Sequence, residues 1–138
     1  MIYKRLFIDS DIILDILLQR EPFSRYAQIL FAENKRGTFE LNTSALIIAN
    51  INYVLTSKVG KTAAKKGLIN FLETIIVLPF EVDAIDKALV SLFTDFEDSI
   101  QHHIAQKHRC DAIITRNTKD YKHSEIAVFT AEQFLTNL

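Results

Sequence analysis

Short apolar runs alternate along the chain with longer segments in which apolar residues recur every three or four positions. Residues 6–8 form an apolar run that predicts a buried strand, and the pattern of residues 12–18 predicts a helix directly after it. Further strands are predicted at 39–41, 75–78, 112–115 and 127–129, and further helices at 23–35, 45–55, 62–72, 83–93, 99–108 and 131–135. Alternating strands and helices predict an α/β fold, with a mostly parallel sheet of about five short strands flanked by helices in three layers.

Chain length limits the number of domains. The 138 residues are enough for one self-sufficient core and too few for two ordinary ones, so we expect a single domain over residues 1–138. Hydrophobic residues make up 49% of the chain, with only three Gly and two Pro. This composition excludes disordered and low-complexity proteins, which cannot bury enough apolar surface to offset chain entropy.

The sequence carries no pattern typical of membrane insertion or secretion. No apolar run approaches the roughly 20 residues that span a bilayer, and the first nine residues lack a signal-peptide core. A single cysteine, Cys110, has no partner for an internal disulfide, as is usual in reducing compartments. We therefore expect a soluble cytoplasmic protein without a membrane partner.

The charge balance limits how the chain can contact nucleic acid. A formal net charge of -1 and a pI near 6.4 argue against binding through a bulk positive field. Any contact with a phosphate backbone must therefore be local. Basic side chains cluster in the last third of the chain, where Arg116 and Lys119 are the candidates for substrate contact.

Acidic and amide side chains follow the predicted strands where a parallel sheet binds its ligands. Asp9 ends the first strand, Asn117 and Asp120 follow strand 112–115, and Asp98 precedes it by one helix. The carboxyl ends of parallel strands share one edge, so these groups are expected to converge there. Carboxylates held close together repel one another unless a hard cation such as Mg²⁺ or Mn²⁺ binds them, and such ions promote phosphodiester hydrolysis.

Four segments resemble, in order, the motifs of the PIN domain family. Residues 6–15 resemble the opening strand, its invariant Asp in an Asp-Thr-Asn motif, and the apolar helix that follows. Residues 19–23 also resemble a bacterial branch of the family, the one that contains VapC-like toxin ribonucleases. Residues 44–55 resemble the second PIN helix, 95–98 the third motif and 115–121 the fourth. The chain is therefore similar to PIN domains over almost its whole length.

The resemblance implies a metal-dependent nuclease that cuts single-stranded RNA or a tRNA. It also implies two possible protein partners, since many relatives are toxins bound by an antitoxin and relatives often form homodimers. Carried over by position, it implies Asp9 and Asp98 as the principal ligands of Mg²⁺ or Mn²⁺. The candidate catalytic residues are Asp9, Asp98, Asn50, Asn117 and Asp120, with Ser10, Asp11, Asp95 and Thr115 supporting them, and the spacing of Asp120 makes it a third candidate metal ligand.

Two amides depart from the family pattern. Asn50 stands where PIN domains usually present a Glu, and Asn117 where an Asp is common. An amide oxygen can bind a hard cation but brings no negative charge, so both metal affinity and water activation should weaken. Asp120, three residues beyond Asn117, would return a carboxylate to the site if the chain makes one turn there.

Other interpretations of these residues remain open. Asp9, Asp11 and Asp95 are each placed to cap a helix, while Asp15, Asp111 and Glu97 are interpreted as surface or capping residues. Asp9-Ser10-Asp11 also matches the Asp-x-Asp motif of haloacid dehalogenase-type phosphatases, in which Asp9 would be the nucleophile. A third alternative is a PIN domain with weakened catalysis that acts as an RNA-binding or protein-binding module.

Overall fold

The computed structural model describes residues 3–138 and contains one five-stranded sheet. Its strands are β1 (Arg5–Ile8), β2 (Glu40–Ser44), β3 (Ile76–Leu78), β4 (Ala112–Ile114) and β5 (Ala127–Phe129). They lie in the order β3-β2-β1-β4-β5, and every neighbouring pair is parallel. The α/β prediction and the predicted number of strands are confirmed.

Pairs of α-helices connect β1 to β2, β2 to β3 and β3 to β4, as parallel pairing requires, and one more α-helix follows β5. They are α1 (Ser10–Leu17), α2 (Phe23–Arg36), α3 (Ala45–Val59), α4 (Lys61–Leu72), α5 (Val82–Leu89), α6 (Phe96–Lys107) and α7 (Ala131–Thr136). A short 3-10 helix, Thr118–Tyr121, follows β4. No helix among residues 3–138 is both long enough and apolar enough to cross a membrane.

Local sequence signals set most of the helix ends. The Ser44 hydroxyl accepts a hydrogen bond from the backbone N–H of Ile47 at 3.1 Å and so caps α3. Thr130 and Gln133 form a reciprocal capping box at the start of α7. Gly37 ends α2 with φ of 84°, a left-handed conformation that glycine adopts without strain.

Three features of the helices differ from the sequence predictions. Helix α5 ends at Leu89 rather than at residue 93, because the Ser91 hydroxyl binds the carbonyl of Ala88 at 2.9 Å and competes with the helical pattern. Helix α6 begins at Phe96, earlier than predicted. Helix α3 continues to Val59, four residues beyond its predicted end, and although its sequence is apolar on nearly every side it buries one face only, so that Tyr53 is 79% exposed.

The central strands form the core and position the site. Leu6, Phe7 and Ile8 of β1 and the three residues of β4 have no exposed surface, and each buried Leu, Ile or Phe side chain among them contributes about 1.5–3 kcal/mol. The chain runs outward from β1 to β2 and β3 on one side, then crosses to β4 and β5 on the other. The carboxyl ends of β1 and β4 therefore flank the point where the strand order reverses, which is where open α/β sheets bind ligands.

Candidate active site

Asp9 lies at the end of β1 and is 5% exposed. Its Oδ1 accepts the Ser10 backbone N–H at 2.8 Å, so Asp9 does cap α1. Its Oδ2 faces the other way and lies 3.0 Å from the Thr115 hydroxyl at the end of β4 and 3.2 Å from the Tyr121 hydroxyl. Burial raises the pKa of the Asp9 carboxyl above its usual value, while these hydrogen bonds oppose the rise. Capping occupies one oxygen only, so the carboxylate serves the site as well.

Tyr121 joins the two principal acids. It is 2% exposed, and its hydroxyl lies 3.4 Å from Asp98 Oδ1 in addition to its contact with Asp9. Burial and the two nearby carboxylates keep the pKa of the Tyr121 phenol well above its usual value, so it stays protonated. Sequence reasoning assigned Tyr121 no role, although it ends the fourth resembling segment.

Asp98 stands in the first turn of α6 among other acids. Its backbone N–H donates to Asp95 Oδ1 at 2.9 Å, which confirms that Asp95 caps the helix. Burial raises the pKa of Asp98 to about 7, and the charges of Asp9, Asp95 and Asp120 add to the rise. Asp120, in the 3-10 helix, therefore lies near enough to Asp98 to affect its ionisation, while its own side chain is exposed.

Asp11 fastens the loop after β4 to α1. Its Oδ2 accepts the Arg116 backbone N–H at 3.0 Å and lies 3.4 Å from both the Thr115 hydroxyl and the Asn117 side-chain amide. The Asn117 backbone N–H donates in turn to the Thr115 hydroxyl oxygen at 3.1 Å. Burial, followed by the charge of Asp9, raises the pKa of Asp11 to about 6. Thr115 and Asp11 thus hold Asp9 and the loop in one hydrogen-bond network.

Asn50 lies apart from this network. It is exposed on α3, and its side-chain amide donates to Glu97 Oε1 at 3.1 Å. Ser10 and Glu97 line the same shallow cavity as Asn50. A carboxylate therefore lies beside the position where PIN domains usually present a Glu, but α6 supplies it.

Asp15 was interpreted as a surface or capping residue, and that interpretation is wrong. It is 1% exposed, and its Oδ1 accepts hydrogen bonds from Arg20 Nε at 2.9 Å and Arg116 Nη2 at 3.0 Å. The Arg116 guanidinium lies 4.0 Å from the centre of the Phe23 ring. Arg116 is thus held in place by an ion pair and a cation–π contact, whereas Lys119 is exposed.

Comparison with known proteins identifies the family. A family model described as PIN domain matches residues 5–119. The chain belongs to the PIN domain family. It is also similar to Ribonuclease VapC1 of Aquifex aeolicus, with 31% identity over 136 residues that cover 95% of this chain and 93% of the relative. This membership argues against the haloacid dehalogenase interpretation of Asp9.

Solved structures share the fold of this PIN domain. A toxin-antitoxin complex from Klebsiella pneumoniae has a TM-score of 0.68 at 20% identity, covering 91% of this chain and 97% of that one. VapC20 of Mycobacterium tuberculosis, described as a toxin that cleaves the sarcin-ricin loop, has a TM-score of 0.64 at 16% identity. That match covers 78% of this chain and 86% of VapC20.

The acids of this PIN domain have the chemistry of a hard-cation site. Asp9 and Asp98 carry raised pKa values and share a single phenolic hydroxyl, so each gains from a cation that neutralises the pair. Within residues 3–138, no three His, Cys, Asp or Glu side chains group closely enough to hold a metal ion by themselves. A Mg²⁺ or Mn²⁺ held by two carboxylates with water and phosphate oxygens fits this arrangement, since Mg²⁺ usually keeps several waters.

Proposed function

We propose that this PIN domain is a metal-dependent endoribonuclease that hydrolyses RNA phosphodiester bonds. The observation that carries the proposal is that Asp9 of β1 and Asp98 of α6 both contact the hydroxyl of Tyr121 at the edge where the strand order reverses. The 31% identity to Ribonuclease VapC1 over nearly all of both chains supports RNA as the substrate.

The catalytic roles follow from the contacts in the site. Asp9 and Asp98 would hold Mg²⁺ or Mn²⁺, which supplies an activated water and polarises the phosphate. Thr115 and Tyr121 donate to Asp9 Oδ2 and fix the direction of that carboxylate. Asp120 adds negative charge close to Asp98, and Asp95 holds the first turn of α6.

Substrate contact falls to the loop after β4. Arg116, Asn117 and Lys119 lie within five residues of the strand end, and the Asn117 side-chain amide lies 3.4 Å from Asp11 Oδ2. Arg116 and Lys119 would bind phosphates that flank the scissile one, which compensates locally for the net charge of -1. Single-stranded RNA or a tRNA loop suits a site built from side chains at a sheet edge.

We also propose that the protein is the toxin of a toxin-antitoxin pair. The described similarity to a toxin-antitoxin complex and to the toxin VapC20 supports an antitoxin protein as a partner. A homodimer is part of the same proposal. Neither partner is needed to explain the contacts between Asp9, Asp98 and Tyr121.

A second candidate function is a PIN domain with weakened catalysis that binds RNA or protein. Asn50 and Asn117 favour it, because two amides stand where the family usually presents acids. Restoring the acids distinguishes the two functions. If catalysis is weakened, Asn50→Glu or Asn117→Asp will raise cleavage from a baseline near zero.

The test is cleavage of single-stranded and structured RNA by the pure protein with Mn²⁺, Mg²⁺ or a chelator. We expect metal-dependent cleavage that Asp9→Asn and Asp98→Asn each abolish, while Asp86→Asn, an exposed change on α5, leaves it intact. Circular dichroism of each variant controls for folding. Cleavage that persists in both site variants would show contaminating nuclease or a different site, and would overturn the proposal.

A further inference from the structure

A cavity of about 420 Å³ lies beside the loop after β4, and the proposed cleavage uses only Arg116 and Asn117 of its lining. Phe23 and Tyr26 of α2 form its aromatic side, and Asp15, Arg116, Asn117 and Thr130 add polar groups. Cavities of about 300–1,000 Å³ with apolar walls and a few polar groups are typical of small-ligand sites. A single nucleobase with its sugar is a ligand of suitable size.

One wall of the cavity is a flat surface in which the Arg116 guanidinium is stacked on the Phe23 ring. The Arg116 guanidinium lies over the Phe23 ring at 4.0 Å, and Phe23 is 39% exposed. Asp15 Oδ1 accepts a hydrogen bond from the Nη2 of the same guanidinium at 3.0 Å. Aromatic rings and guanidinium planes are the groups on which proteins stack unpaired bases.

Buried polar atoms beside the cavity have no partner. Asp15 is 1% exposed, yet its Oδ2 makes no hydrogen bond within residues 3–138, and the same holds for Nε of Arg116. Buried polar groups without partners are rare, and each one calls for an explanation. Both residues line the cavity, but the two atoms have almost no exposed surface, so a ligand would reach them only if the Arg116 side chain, which is 32% exposed, shifts.

Asn117 links the cavity to the acidic site through hydrogen bonds. This residue lines the cavity, and its side-chain amide lies 3.4 Å from Asp11 Oδ2, which is 3.4 Å from the hydroxyl that also contacts Asp9. We propose that the cavity binds one unpaired nucleobase, stacked on Phe23 and Arg116, from a nucleotide beside the scissile phosphate. The inference rests on the proposed RNA substrate and restricts it to single-stranded RNA, because a paired base is stacked within its duplex.

The test measures binding in chelator, so it does not depend on cleavage. The ligands are unstructured RNAs of about ten nucleotides, which is within the usual range of single-strand sites. Each RNA contains one abasic position, and this position differs from one RNA to the next. We expect Phe23→Ala to weaken binding about tenfold and Phe23→Tyr to restore it, as base stacking on an aromatic ring predicts. The matched control is Leu72→Ala on α4, which truncates a side chain of similar exposure, 40% against 39%.

A double-mutant cycle identifies the stacked base. In the wild type, one abasic position should weaken binding as much as Phe23→Ala does, and in Phe23→Ala that position should have no further effect. The chain contains no Trp, so Phe23→Trp places a single fluorophore in the cavity. Its emission should be quenched by the intact RNA and not by the RNA that lacks this one base.

Three results would overturn the inference: no binding of RNA by the wild type, equal binding by Phe23→Ala, or equal loss at every abasic position in both proteins. Loss of a protein partner by Phe23→Ala with unchanged RNA binding would assign the cavity to that partner instead. Failure of the cleavage proposal alone would give a different result. The double-mutant cycle would still identify one stacked base in chelator, but no metal ion would support RNA cleavage.

Discussion

The side-chain amide of Asn50 on α3 donates to Glu97 Oε1 on α6 at 3.1 Å. In most PIN domains, as the sequence resemblance implies, position 50 would itself carry the carboxylate. Here the carboxylate is presented from the facing helix, one residue before Asp98. The carboxylate at this place is therefore carried by Glu97 rather than by residue 50.

We predict that Glu97→Gln lowers metal-dependent cleavage about tenfold, the lower end of the effect expected when a group that supports metal ligands is lost. The exchanged variant Asn50→Glu/Glu97→Gln should recover most of the rate, because it returns the carboxylate to the neighbouring position. Initial rates of RNA cleavage at several Mn²⁺ concentrations measure both effects.

Glu73→Gln, an exposed change at the end of α4, is the matched control and should leave the rate unchanged. A wild-type cleavage rate in Glu97→Gln would show that the Glu97 carboxylate does not support metal-dependent cleavage. A faster rate in Asn50→Glu alone would favour a domain with weakened catalysis.

The fold was predictable because each strand and helix has a recognisable local pattern in the sequence. Apolar runs of three or four residues and caps such as Ser44 and Thr130 determine the elements, and parallel pairing follows from their alternation. Asp9 and Thr115 could be selected as candidate site residues for the same reason, since both directly follow central strands. Asp98 was found through its resemblance to the third PIN motif.

The contacts that sequence reasoning missed join residues far apart in the chain. Tyr121 reaches Asp9 across 112 positions, and Arg116 reaches Asp15 across 101. Nothing in the local pattern distinguishes these residues from a core tyrosine or a surface acid. Their roles depend on how α1 packs beside the loop after β4, which is a tertiary property.

We predict that Tyr121→Phe destabilises the protein by about 1 kcal/mol in chelator, the usual net worth of a hydrogen bond. The phenyl ring still fills the buried space, but Asp9 and Asp98 lose their shared donor. Saturating Mn²⁺ should narrow the difference, because the cation then neutralises the two carboxylates. Thermal unfolding with and without Mn²⁺ measures the change. Tyr53→Phe is the control, because the Tyr53 side chain is 79% exposed. An equal loss in both conditions would show that the hydroxyl does not act through these acids.

We predict that the chelated protein loses stability as pH rises from about 4 to 7. The pKa of Asp98 is raised from 3.8 to about 7 and that of Asp11 to about 6, so at these two groups the folded state binds more protons than the unfolded state in this range. Together they outweigh His102, whose pKa burial lowers from 6.5 to about 4 and which acts in the opposite direction. The free energy of unfolding therefore falls as the pH rises through this range. Asp98→Asn should flatten the profile of melting temperature against pH, and Asp86→Asn should not. Profiles of Asp98→Asn and wild type that run parallel would contradict the raised pKa of Asp98.

We predict that Asp15→Ala destabilises the protein by about 3 kcal/mol. Removing one partner of a buried ion pair costs about 3–5 kcal/mol, and the lower end applies because the Arg20 and Arg116 side chains are 37% and 32% exposed and can be hydrated. Asp15→Asn should lose less, since its amide oxygen still accepts a hydrogen bond. Urea denaturation measures the free energy of unfolding.

The matched control for this ion pair is Arg36→Ala. Arg36 is 76% exposed and pairs with Glu33 at 3.3 Å, so its removal should change stability by less than about 1 kcal/mol. A similar small change in Asp15→Ala would mean that the two arginines do not depend on Asp15. In that case the ion pair with Asp15 would not explain why Arg116 lies over Phe23, and the cation–π contact alone would have to hold Arg116 there.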